Sequence, residues 1–261
     1  RDSWLLNRAE IQPGGEFAEA TLGRFVSHFE AASDAESIDD LFARLEAAGA
    51  LLRLDRSVTP TMYRCATVTV AELEQLRRIT NIVRAGHVSA ITPETLTLEH
   101  DTLPVSAGTL HLDCTADGLE RRPIVPIFDG NRITLQTVRT CQQVFSAAMI
   151  AYVEGAYDDQ DEKNRLCTVV PHPDTDIDWL RVTLAGAQNR ERWRADPDLS
   201  AWLASSRLDA TSVAARHAPR DVLVQVARRG AKVAESGARR LAELIEGYDQ
   251  TGNSAALRPR E

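Results

Sequence analysis

Asn81-Ile-Val-Arg-Ala-Gly-His-Val-Ser-Ala-Ile-Thr92, then Glu94-Thr-Leu-Thr-Leu-Glu-His100, then Gly108-Thr-Leu-His-Leu-Asp-Cys-Thr-Ala-Asp-Gly118, is the stretch from which the fold is read. It contains three short β-type runs. Thr92-Pro93-Glu94 joins the first two, because proline presets the turn backbone and cannot continue a strand. The third run, Thr109 to Asp113, alternates and stops at Thr115-Ala116-Asp117-Gly118. A strand ending in small residues presents backbone N–H groups at its carboxyl end, where ligands of open α/β sheets sit. An ordinary surface turn has the same composition, so the meaning comes from the surroundings.

Upstream, Leu22, Phe25, Val26 and Phe29 recur at helical spacing within Glu19 to Ala31. A second helix carries Ile38, Leu41, Phe42, Leu45 and Ala48, with Ser33 or Ser37 as its cap and Gly49 as its stop. Leu51 to Leu54 reads as a short strand. Val70 to Ile79 reads as a third helix with Leu73, Leu76 and Ile79 inward. Helices and strands that alternate and then give way to consecutive strands predict an α/β layer bearing a small antiparallel sheet.

Downstream, Asp129-Gly130-Asn131 between apolar runs predicts a hairpin, and Pro123 and Pro126 make its first arm an edge or irregular strand. A helix follows from Thr140 to Tyr157, whose free N–H groups can face an anionic or polarisable group. Asp174, Asp176 and Asp178 alternate like a calcium loop. Trp179 stands where that loop needs Gly and Ala185 where it needs Glu, so the aspartates are assigned to the start of a helix instead. Trp193 and Trp202 are packing anchors. Asp221 to Tyr248 is one long amphipathic helix striped by Leu223, Val226, Gly230, Val233, Gly237, Leu241, Leu244 and Tyr248. Between Ser206 and Arg240 eight Arg or Lys face three Asp or Glu. The stripe is rich in Ala and Gly, which favours a docked or oligomer-forming helix over a membrane or nucleic-acid binder. The tail from Thr251 is read as disordered.

The 261 residues carry a net charge of −8, which argues against a nucleic-acid partner. No run is long and apolar enough to cross a membrane, and the opening Arg1-Asp2-Ser3-Trp4, with no apolar h-region, is not read as a signal peptide. The expected location is the cytoplasm of a bacterium. That opening reads as a chain entered partway through a domain. Cys65, Cys114, Cys141 and Cys167 form no Cys-x-x-Cys, so four free, mostly buried thiols are expected.

Taken in order, these pieces resemble the C-terminal part of FAD/NAD(P)-dependent oxidoreductases, the group of flavin-containing monooxygenases and thioredoxin-reductase-like flavoproteins, in an actinobacterial form. The opening Arg1-Asp2-Ser3-Trp4-Leu5 resembles the segment after the second strand of the NADP domain. The run Leu112 to Gly118 resembles the Asp-x-x-x-Ala-Thr-Gly crossing back to the FAD domain, although it reads Cys114-Thr115-Ala116-Asp117-Gly118 here. The hairpin and the helix from Thr140 resemble the last FAD-domain element. The likeness covers about residues 1 to 170, and no Gly-x-Gly-x-x-Gly fingerprint occurs in the chain.

The resemblance implies an α/β fold: an incomplete two-dinucleotide-binding-domain flavoprotein with a small antiparallel meander and a helical C-terminal region. Residues 1–115 would finish an NAD(P)-binding-type domain, 116–170 would return to an FAD-binding-type domain, and 171–261 would form the helical region. The implied cofactors are FAD and NADPH, or NADH. Arg1 and Arg8 would hold the extra phosphate of the nicotinamide dinucleotide. Thr115, Asp117 and Gly118 would line the crossing beside FAD, and Gln136, Thr137, Thr140 and Gln142 would lie near the flavin. No catalytic acid, base or metal ligand is named, and the implied substrate is a small molecule. The rival reading is a non-enzymatic α/β interaction module that dimerises or docks through its long C-terminal helix.

Overall fold

The computed structural model describes residues 2–114 and 122–251 and shows a mixed α/β protein. Arg1, Thr115, Asp117 and Gly118, and the tail expected to be disordered, lie outside the described residues, apart from Thr251 itself.

The chain opens with strand β1 (Ser3–Asn7) and two single 3-10 turns, then helices α1 (Ala18–Ser33) and α2 (Ile38–Ala47). Ser37 caps α2 through Asp40 N, and Gly49 ends the turn beyond it at φ +75°, where a glycine meets no Cβ penalty. β2 (Leu51–Leu52) and β3 (Met62–Val68) follow. β1 is the centre of this sheet, antiparallel to β2 and parallel to β3. The register runs Trp4 to Tyr63 and then Leu6 to Thr67, so β3 spends two extra residues against β1. Cys65 sits in that bulge at φ +57°. A bulge bends its strand and re-aims a side chain, and here the re-aimed side chain is a thiol.

α3 (Val70–Leu76) starts with a capping box of Thr69 and Glu72. Only Leu73 of its expected inward face is buried; Leu76 and Ile79 are exposed, because the helix ends a turn early and lies flat on the surface. The meander is β4 (Val88–Ile91), β5 (Thr95–Leu98) and β6 (Thr102–Pro104), all antiparallel. Thr92 forms its first turn as expected, accepting from Glu94 N and Thr95 N. Gly86 extends the pairing beside Glu99, at φ +88° and with no room for a Cβ. The third strand is not Thr109–Asp113. A three-residue connection lets Thr102 to Pro104 pair with β5 first, and Leu110 and Leu112 are left exposed. The local partner wins because it closes the shorter loop.

The expected hairpin is β7 (Phe128–Asp129) with β8 (Arg132–Ile133), turning through Gly130. α4 (Gln143–Ala156) begins three residues after Thr140, which itself has φ +40°. α5 (Gln160–Leu166), α6 (Asp176–Ala195), α7 (Pro197–Ser205), α8 (Ala210–His217) and α9 (Arg220–Gln250) complete the chain. Asp178 and Thr175 form the capping box of α6, so the aspartates serve the helix start.

One core gathers Trp4, Leu6, Phe29, Leu41, Tyr63, Trp179 and Leu241, drawn from the first sheet, α1, α2, α6 and α9. A second gathers Ile127, Val138, Phe145, Met149, Trp193 and Leu199. α6 enters both, through Trp179 at one end and Trp193 at the other. The stripe of α9 is taken up inside the chain: Gly237 lies on the Phe29 carbonyl of α1, where an added Cβ would approach to 2.6 Å. Among the described residues no helix is long and apolar enough to cross a membrane.

Candidate functional site

The loop from Gln136 to Gln142, between the hairpin and α4, is fixed from inside. Val138 is fully buried; its N–H donates to Ser146 Oγ at 3.1 Å, and its carbonyl accepts from Asn189 Nδ2 at 2.9 Å. Asn189, itself buried on α6, also donates to Thr168 O at 2.7 Å. With residue 138 pinned, the next residue must project into the space between α1, α4 and α8.

That residue is Arg139, only 7% exposed. Its guanidinium pairs with Asp209, stacks 3.8 Å from the Phe145 ring centroid and stands 5.0 Å from that of Trp193. Burial lowers its pKa, and the Asp209 carboxylate offsets part of that. Burial would raise the pKa of Asp209, but Arg139 and the hydrogen bonds from Ser212 at the start of α8 outweigh it and hold the carboxyl below its usual range. Such a pair breaks even at best against its desolvation, and removing one member leaves a buried charge worth about 3–5 kcal/mol of destabilisation.

Two more arginines converge here. Arg190 from α6 lies 3.5 Å over the Phe25 ring and Arg24 from α1 lies 5.5 Å from it. Among the described residues neither has a carboxylate partner. Arg190 is held well below the ordinary arginine range, first by burial and then by the charges of Arg139, Arg194 and Arg24, with Asp209 opposing. Beside them the buried His28 faces Glu10 at 3.4 Å, outside hydrogen-bonding geometry. Glu10, Ile11, Arg24, Arg139, Gln142 and Thr211 line a shallow cleft of about 30 Å³ that opens to solvent. Arg24 Nε, Arg139 Nε and Gln142 Oε1 are buried there without hydrogen-bond partners.

Next to Arg139 and Thr140, Cys141 is bonded to Cys65, with Cα atoms 6.5 Å apart. The expectation of four free thiols is therefore corrected: Cys114 and Cys167 are free, the first exposed and the second buried. Spacing concealed the pair because 76 residues separate its members. Only the β3 bulge brings them together.

The residues expected beside a flavin divide. Gln136 clasps Val125 through both its N–H and its carbonyl, and Thr137 is buried and donates to Val170 O at 2.6 Å. Both hold the loop in shape. Thr140 marks the backbone reversal, and Gln142 is the N-cap residue of α4 with no side-chain cap bond. Gln142 alone of the four combines an open helix start with the cleft. Arg8 stands at the end of β1, donating to Thr67 O at 3.2 Å and facing Glu72 at 3.3 Å. Its charge is already engaged, while Glu10, two residues on, reaches the cleft. Arg24, Arg190 and Arg139 carried no signal of burial in the sequence; only the aromatic neighbours Phe25 and Phe145 could have hinted at it. Among the described residues no group of His, Cys, Asp and Glu is arranged to hold a metal.

The chain is 54% identical over 209 residues to the uncharacterized protein Mb2023 of Mycobacterium bovis and to the uncharacterized proteins Rv2000 and MT2056 of two Mycobacterium tuberculosis strains. The match covers 80% of this chain and 39% of each relative, so the chain spans about two fifths of their length. No family model and no solved structure matches it.

Proposed function

We propose that this chain is the C-terminal portion of an FAD- and NAD(P)H-dependent oxidoreductase of the monooxygenase-like kind, acting on a small molecule. The observation that carries the reading is the mouth of α4. The helix starts without a side-chain cap at Gln142, and Val144 in its first turn is an apolar side chain 71% exposed. Uncapped N–H groups favour negative charge, and exposed apolar side chains favour a flat aromatic ring. A flavin ring that becomes anionic on reduction asks for that combination. FAD, when bound, would take a hydride from the nicotinamide and pass electrons to oxygen or an organic acceptor.

The chain's own residues would position and exclude. Val138, Asn189 and Gln136 hold the loop in shape, Val144 would keep water from the ring, and Gln142 would offer an amide at its edge. Arg8 would reach a dinucleotide phosphate only by exchanging its contact with Glu72. The glycine fingerprints absent from this chain would be supplied by sequence outside the span shared with the relatives, which is more than half of each.

The test is the visible absorption spectrum of the protein in its full natural reading frame. Flavin bands bleached by NADPH without oxygen are expected. A colourless protein that takes up no added FAD would overturn the reading.

A further inference from the structure

The meander sorts its side chains by chemistry. Residues opposite each other in a β-ladder share a face, and the register sets Val88 against Leu98, Ile91 against Leu96, and Leu96 against Leu103. Those five form one face, all Val, Ile or Leu. The other face carries Ala90, Thr95, Thr97, Thr102 and Pro104. The irregularity between Val88 and Ala90 is what keeps Val88 and Ile91, three residues apart, on the same side. An antiparallel sheet of this pattern packs its apolar face and leaves the other in water.

Here the apolar face is left open. Val88 is 52% and Ile91 51% exposed, and of the five only Leu98 is buried. Among the described residues none of the five belongs to a hydrophobic core of the protein. A small sheet draws its stability from burying such a face, and an exposed apolar patch with a polar rim marks an interaction surface.

Size, charge and chain length choose the occupant. Five aliphatic side chains offer about 300–600 Å² in all, even when fully exposed. That is less than the roughly 800 Å² each partner buries in a stable interface between separate proteins. A second copy or a free protein would therefore bind weakly through this face, whereas an element tethered in the same polypeptide acts at high effective concentration. The matched span covers only 39% of each mycobacterial relative, so proteins of this kind contain such polypeptide. Exposed carboxylates stand at both ends of the sheet, Glu94 in the first turn and Glu99 and Asp101 in the second, and they call for basic residues around the occupant. We propose that the apolar face of the meander is an internal docking surface. In the full-length polypeptide it is covered by an apolar element, flanked by Lys or Arg, from outside these 261 residues. The surface stands whether or not a flavin binds at the mouth of α4.

The test is the rate at which iodoacetamide alkylates Ile91→Cys, read by peptide mass spectrometry in this chain alone and in the protein of full natural reading frame. Thr102→Cys, exposed on the polar face, is the control. Ile91→Cys is expected to react about tenfold or more slowly in the longer protein, and Thr102→Cys equally fast in both. Adding Glu94→Lys and Asp101→Lys to the longer Ile91→Cys protein is expected to speed its reaction at least about twofold, and no change would overturn the basic rim. Equal rates for Ile91→Cys in the two proteins would overturn the proposal, as would a natural reading frame that adds no residues. Equal protection at both positions would overturn it too. So would protection that grows with the concentration of this chain alone, because that places a second copy on the face.

Discussion

Cys167 lies within the second core, where burial pushes its thiol up to about 12, while Cys114 is exposed and Cys65 and Cys141 are joined. Only a thiolate attacks an alkylating agent. Iodoacetamide at mildly alkaline pH should therefore add one group to the native protein, on Cys114, and two more after a thiol reductant, on Cys65 and Cys141. A second adduct formed rapidly without reductant would show that the cystine does not form. His28 gives a pH prediction. Burial lowers its pKa, the contact with Glu10 raises it by less, and Arg24 and Arg190 lower it further. The unfolded histidine takes its proton near 6.5 and the folded one at lower pH. The unfolded state therefore binds more protons as pH falls, and the stabilisation present above 6.5 is lost below it. The urea midpoint should drop between about pH 7 and pH 5.5, and His28→Asn should flatten that slope. Parallel slopes in the two proteins would assign the loss to other groups.

At the scale of elements, the contact of α1 with α9 rests on a missing side chain. Gly237 approaches backbone, which cannot step aside, whereas Gly247 ten residues on has nothing within 4 Å. Gly237→Ala should cost about 2 kcal/mol through overpacking. Gly247→Ala should gain about 0.5 kcal/mol of helix propensity. Thermal denaturation of the pair checks this, and equal shifts would mean that the helices do not cross at Gly237. The stripe containing both the Gly237 and Leu241 positions was readable because one helical period runs through the whole of α9. So were the α2 cap, narrowed to Ser33 or Ser37, the hairpin at Gly130 and the aspartates starting α6, since each depends on residues a few positions apart. The third strand of the meander was not readable. Thr109 to Asp113 has better alternation than Thr102 to Pro104, but pairing chose the segment nearer to β5.

For the whole molecule, the mixed α/β character followed from alternating periodicities, and the site did not. Arg24, Arg139 and Arg190 lie in three segments with nothing local to link them, and a buried or half-buried arginine looks like a surface one in sequence. Gln142 entered only through the resemblance, and the helix start expected at Thr140 lies at Gln143, because Thr140 is held at φ +40°. Cys65 and Cys141 were missed for the same reason as the arginines: the link is made by a bulge whose position depends on strand register.

The Cys65–Cys141 bond also turns the chain between them, meander included, into a closed covalent ring. A single protease cut inside that ring cannot free either piece. Nicked protein should migrate as one band on a denaturing gel without thiol and as two bands with it, whereas a cut outside the ring separates the fragments under both conditions.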